Sequence, residues 1–181
     1  MATQTGAQRA VESVTDPELP MLTLADLGVV RSVVEHADSV TVTITPTYSG
    51  CPALAEMRAD LHRALTEAGY RRIEVRTTLS PPWSTDWITD AGRRKLTEAG
   101  IAPPAPTPRE SGFSPGRVGD FSTPRQPVPL NLDPPSARDE VPCPRCGTSH
   151  TEQLSRFGPT ACTALRRCPS CQEPFEHLRP L

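Results

Sequence analysis

Between residues 40 and 45 the chain alternates strictly, Val40, Val42 and Ile44 against Thr41, Thr43 and Thr45, the period of a half-buried strand. Beyond residue 53 the period lengthens. Leu54, Met57, Leu61, Leu65 and Ala68 recur at three- and four-residue spacings, with Glu56, Arg58, Asp60, Arg63 and Glu67 on the other side. That pattern predicts an amphipathic helix packed on a sheet and stopped by Gly69. Ile73, Val75, Thr77 and Leu79 return to alternation and predict another strand. Residues 29–36 read as a strand joined to 40–45 by a turn at Ala37-Asp38-Ser39. A short helix is expected over 8–14, ended by Pro17 and Pro20, which forbid helix and extend Asp16 and Leu19. One more turn is expected over 22–28, with Thr23 as N-cap, Asp26 in its first turn and Gly28 as its stop. A last helix is expected over 84–99, with Gly92 as its weak point. The order helix, strand, strand, helix, strand, helix predicts a small α+β domain over residues 1–102, its helices on one sheet face.

The periodicity then stops. Residues 103–141 open on Pro103-Pro104-Ala105-Pro106-Thr107-Pro108 and hold many of the chain's 22 prolines. Such a segment cannot bury enough apolar surface to offset its ordering entropy, and a disordered tether is expected. Residues 142–181 carry Cys143-Pro144-Arg145-Cys146 and Cys168-Pro169-Ser170-Cys171. Each pair can form a knuckle, and together they supply the four thiolates of a closed tetrahedral zinc site. Strands are expected over 151–157, 164–167 and 174–178, giving an all-β zinc ribbon. A module this small has little core, so metal would supply much of its stability. Iron in the same cage is the main competitor. A redox pair would sit between a strand and a helix, a context neither motif has.

Composition narrows the function classes. The net charge of −2 gives no bulk attraction to nucleic acid or membrane. No apolar run reaches the length of a membrane span and residues 1–10 lack the core of a signal peptide, so a cytoplasmic chain is expected. Six cysteines in a reducing compartment then point to metal or reactive thiols. The histidines (His36, His62, His150 and His177) show no paired spacing, and surface or structural roles are their default.

Cys51 stands where the alternating strand hands over to the amphipathic helix, in Thr45-Pro46-Thr47-Tyr48-Ser49-Gly50-Cys51-Pro52. With Pro52 as the first helical residue, unpaired N–H groups and the helix dipole would surround the sulfur and favour thiolate. The alternative is a small buried residue at a tight turn. Asp16 and Glu18, taken singly, read as ordinary Asp-Pro-Glu turn chemistry.

Asp16-Pro17-Glu18-Leu19-Pro20, Asp26-Leu27-Gly28-Val29-Val30 and the Gly50-Cys51-Pro52 turn resemble the SufT-type iron–sulfur assembly domain. The strings TPTYSGCPA, PPWSTDWIT and GIAPP narrow the resemblance to the PaaD family, encoded with phenylacetyl-CoA epoxidase. The resemblance covers both ends of the chain and implies that Cys51, Asp16 and Glu18 handle iron–sulfur clusters. Cys162 resembles a ribbon cysteine of that family, where serine is typical at the place of Pro159. Packed thiol, substitute ligand and second functional sulfur all stay open for it. The resemblance further implies an accessory or maturation component of the epoxidase system in phenylacetate catabolism, holding a transient iron–sulfur cluster or iron. It implies as partners the oxygenase and reductase subunits and the iron–sulfur assembly machinery, with a homodimer left open. The alternative is a structural docking component of the oxygenase without sulfur chemistry. A catalytic component is disfavoured, for no Glu-x-x-His pair, phosphate loop or assignable nucleophile–histidine pair is present, and no catalytic residue is assigned.

Overall fold

The computed structural model describes residues 5–105 and 141–179. Most of the expected tether, residues 106–140, lies outside them. The rest is α+β, as the periodicities predict.

Helix α1 (Gly6–Glu12) begins where the Thr5 hydroxyl accepts from the Gln8 N–H. Strands β1 (Val30–His36) and β2 (Ser39–Ile44) form an antiparallel hairpin. Helix α2 (Leu54–Glu67) crosses to β3 (Arg72–Thr77), which pairs parallel with β2, so the sheet order is β1-β2-β3. A parallel pair cannot be closed by a hairpin, and α2 is the crossover it requires. Val40, Val42 and Ile44 turn inward from the central strand toward the core shared with Met57, Leu61 and Leu65 of α2. Each such side chain is worth about 1.5–3 kcal/mol on burial.

The expected 84–99 helix is two elements. A 3-10 turn, Thr85–Trp87, is followed by extended Ile88, and helix α3 spans Asp90–Glu98. Thr89 makes the break: its hydroxyl caps the Gly92 N–H at 3.0 Å and its own N–H donates to the Asp26 carbonyl at 2.9 Å. Gly92 is a contact point rather than a weak point, since a Cβ there would stand 2.8 Å from the Asp26 carbonyl oxygen. The expected turn over 22–28 is present. Thr23 and Asp26 exchange side-chain-to-backbone bonds of 3.0 and 3.1 Å, and Gly28 ends it at φ +68°.

Strand β4 (Ile101–Ala102) follows α3 directly but pairs with the C-terminal strands. These are β5 (Glu152–Ser155), β6 (Thr163–Arg167) and β7 (Pro174–Leu178), in the order β4-β7-β6-β5. The exchange runs both ways. Ala102 packs with Val141, Cys143, Cys168 and Phe175, while Cys162 and Leu178 pack into the core built by the first helices and strands.

Candidate functional site

The loop between α1 and β1 is closed by a carboxylate. The Asp16 N–H donates to the Leu22 carbonyl at 2.9 Å, and its Oδ1 accepts from the N–H groups of Glu18 (2.9 Å) and Leu19 (2.8 Å). The turn role is therefore real, and it holds a buried acid. Burial pushes the Asp16 carboxyl up, opposed by those two N–H bonds. Half-buried Glu18 is also raised, first by desolvation and then by the charge of Asp16.

Cys51 lies on the next loop. Its N–H donates to the Tyr48 carbonyl at 3.2 Å, and its carbonyl accepts from Leu54 at 3.3 Å, so two tight turns precede α2. The helix begins at Leu54, with Ala53 as N-cap, and Pro52 is not its first residue. The expected thiolate is not favoured. Burial pushes the Cys51 thiol up; the Ala53 and Leu54 N–H groups pull the other way, while Glu18 and Asp16 add to the rise. The helix-start donors foreseen from the sequence do reach the sulfur, but desolvation and two carboxylates outweigh them.

The second sulfur comes from the ribbon. Cys162, in the turn before β6, has its Sγ 4.0 Å from Glu18 Oε2 and 3.2 Å from the Thr160 hydroxyl. Burial raises this thiol too; Thr160 lowers it, and Glu18 and Asp16 raise it further. The same carboxylates thus act on both sulfurs, and all four groups predicted from sequence, Asp16, Glu18, Cys51 and Cys162, fall in one neighbourhood. Tyr48 joins them. Its phenol is pushed up by desolvation, then by Cys51, Glu18 and Cys162, with Arg179 opposing, so it stays a neutral hydroxyl. Arg179 closes the far side: its N–H donates to the Cys162 carbonyl at 3.0 Å and its guanidinium to the Ala161 carbonyl. Sequence reasoning gave no role to Tyr48, Thr160 or Arg179. Tyr48 sits inside the string around Cys51, but nothing local marks the other two.

The ribbon cysteines form a separate centre. The sulfurs of Cys143, Cys146, Cys168 and Cys171 all lie within 4.8 Å of one another. Cys143 and Cys171 are 3.8 Å apart, and Cys146 and Cys168 are 3.5 Å apart. A tetrahedron with arms of about 2.3 Å has edges of about 3.8 Å, so the four thiols fit one tetrahedral metal ion. Both knuckles fold alike. Gly147 donates to the Cys143 carbonyl (2.9 Å) and Gln172 to that of Cys168 (2.8 Å), each at positive φ. Among the described residues this is the one His, Cys, Asp or Glu group gathered so tightly. Cys51, Cys162, Glu18 and Asp16 are neighbours without being a preformed cage.

Comparison with known proteins places both halves. The iron–sulfur cluster assembly protein family matches residues 6–75, and the PaaD zinc beta ribbon domain matches residues 129–179. An Escherichia coli (strain K12) protein, named as one of the subunits of 1,2-phenylacetyl-CoA epoxidase, is 40% identical over 169 residues, covering 93% of this chain and 88% of its own. The chain belongs to the PaaD family. A Porphyromonas gingivalis protein named as an Fe–S protein maturation auxiliary factor is 30% identical over 98 residues, 53% of this chain and 92% of its own. A crystal structure of a domain of unknown function from Bacillus anthracis aligns at TM-score 0.45 and 28% identity, over 49% of this chain and 85% of that one. No helix among the described residues is long and apolar enough to cross a membrane.

Proposed function

We propose that this protein is a non-catalytic accessory component of a phenylacetyl-CoA epoxidase system in phenylacetate catabolism, working in the cytoplasm. Its task is to assist iron or iron–sulfur cofactor assembly of the oxygenase or reductase subunits. The observation that carries this reading is the meeting of Cys162 with Glu18 at 4.0 Å, beside the loop that bears Cys51. Family membership supports the system, and the match over residues 6–75 supports the cofactor class.

The chemistry follows from the charges. Two protonated thiols beside two carboxylates repel the extra negative charge that ionisation would bring. An incoming iron cation or cluster removes that penalty, each ligating thiol loses its proton, and Glu18 offers an oxygen. Because the ligands must ionise and gather, affinity is pH-dependent and loading is reversible. In the ribbon, Cys143, Cys146, Cys168 and Cys171 would hold structural zinc, which would supply folding free energy rather than reactivity.

Anaerobic reconstitution with iron and sulfide tests this. The wild-type chain is expected to gain charge-transfer absorbance and pass cofactor to an apo-reductase, and Cys51→Ala to lose both. Equal absorbance and transfer in the two proteins would leave the structural docking reading.

A further inference from the structure

We propose that metal in the four-cysteine ribbon is a gate on the Cys51/Cys162 site: its occupancy sets whether Cys162 is held, buried, against Glu18. The inference concerns the position of a side chain and holds whether or not the sulfurs carry iron.

The two centres are linked by a single strand. Cys162 and Cys168 stand at opposite ends of one strand, β6, Thr163–Arg167. Six residues at about 3.3 Å each separate their Cα atoms by about 20 Å. That exceeds the screening length of about 8 Å at physiological ionic strength, so direct electrostatics between the centres is weak. Coupling has to pass through the strand.

The hydrogen bonds that hold Cys162 from its own side, to the Thr160 hydroxyl and the Arg179 N–H, belong to the ribbon; from the other side it has its packing in the first core and Glu18. Strand β6 is held on one side by β7 and on the other by the four-residue β5. The knuckle that turns β6 into β7 is itself a ligand pair, Cys168 and Cys171, with the Cys171 N–H 3.5 Å from Cys168 Sγ. The satellite core under the sheet is small: Ala102, Val141, Cys143, Cys168 and Phe175 are its buried members, two of them metal ligands. Without metal these thiols lose their common centre and that core has little else to hold it. Strand β7 would then release β4, and the Arg179 N–H its hold on the Cys162 carbonyl. The first core keeps α1, α2 and the β1–β3 sheet, which owe their packing to their own side chains. It would lose Cys162 and Leu178.

Two states follow. With the four ribbon sulfurs gathered, as in this structure, Cys162 is 5% exposed and faces Glu18, the arrangement that bound metal would lock; with the sulfurs dispersed, the thiol would be released to solvent while the first sheet stays folded. By linkage, any ligand that bridges Cys162 to the acidic loop must tighten ribbon metal binding by the same factor.

The test is residue-resolved alkylation of the full chain with iodoacetamide, read by peptide mass spectrometry. It is run as purified, after metal removal with a chelator, and after zinc is returned. Chelation is expected to speed Cys162 alkylation at least about tenfold, as a buried thiol becomes exposed, and zinc should restore the slow rate. Read in a Trp87→Phe background, since the chain's other tryptophan is half-buried, emission of Trp83, 5% exposed with its indole N–H on the Leu27 carbonyl at 2.9 Å, should stay that of a buried indole throughout. Cys162 alkylation unchanged after verified metal loss would overturn the gate. So would a shift of Trp83 emission to its solvent value, which would mean global unfolding. Neither result depends on iron, so failure here is distinct from failure of the assembly role.

Discussion

Replacing Glu18 by glutamine isolates the charge that the two thiols share. The variant keeps the side chain's length and a carbonyl oxygen opposite the Cys162 sulfur, and it removes only the negative charge. At the 4.0 Å between Cys162 Sγ and Glu18 Oε2, two like charges repel by about 1 kcal/mol in bulk water and by about 4 kcal/mol at an effective dielectric of about 20. Glu18 is half-buried, so the true value lies between those limits. At a pH below the thiol's titration range, even the lower one raises the thiolate fraction about fivefold. A more acidic thiolate is a weaker nucleophile, which cancels about half of the gain on a logarithmic scale. The alkylation rate of Cys162 should therefore rise at least about twofold, and roughly thirtyfold at the upper limit. Cys51 should move in the same direction, because Glu18 raises that thiol as well. Residue-resolved alkylation of the metal-loaded protein across a pH series measures both cysteines in one sample. Rates that stay unchanged, or fall, would refute the shared electrostatic neighbourhood.

Two predictions concern the scaffold. Gly92→Ala should lower the melting temperature, although alanine is the better helix former by about 1 kcal/mol. The added Cβ meets the Asp26 carbonyl oxygen at 2.8 Å, and overpacking costs about 1–3 kcal/mol; a higher melting temperature would contradict that contact. Asp26→Asn should cost about 1–2 kcal/mol at neutral pH, because the carboxylate accepts from Lys95 Nζ at 2.6 Å. Burial pushes Asp26 up, but the Lys95 bond and the Thr23 donors outweigh it and hold the carboxyl below its ordinary range. Such a depressed group contributes its stability above the unfolded carboxylate pKa and loses it as pH falls through the folded value. Denaturant titrations should thus show the gap between variant and wild type narrowing on the acid side; a constant gap would contradict the ion pair.

What the sequence discloses depends on whether a signal is local. The period-two run at Val40, Val42 and Ile44 and the helical spacing of Met57, Leu61 and Leu65 were legible because burial imposes its period on consecutive residues. The knuckles were legible because metal geometry fixes the spacing of Cys143 to Cys146 and of Cys168 to Cys171. The break before α3 was written in Ile88-Thr89-Asp90, a threonine cap followed by an acid, but the apolar spacing of Trp87, Ile88 and Leu96 across it masks that signal. Cys162 is a different matter. It meets Glu18 across 144 positions of chain, and no periodicity reports a contact of that range. The protonation of Cys51 escapes the sequence for a related reason. The helix start is local and visible, whereas the burial and carboxylates that outweigh it come from other segments.

The two sulfur centres differ in a way that bears on their proposed roles. Ribbon sulfurs separated by 3.5 and 3.8 Å already stand at the edge length of a tetrahedral site. A metal entering there has only to displace protons, and four thiolates close the shell against exchange. Cys51 and Cys162 are raised thiols on separate segments, with one carboxylate near contact and no common point within ligand reach among the described residues. A cation there must drive ionisation, draw the ligands together and complete its shell from elsewhere. Each requirement weakens retention and leaves a position for an acceptor's own ligand. A resident metal is suited to the first arrangement and a transferable one to the second. Joined through β6, the centre suited to keep an ion would position a ligand for the centre proposed to give its cargo away.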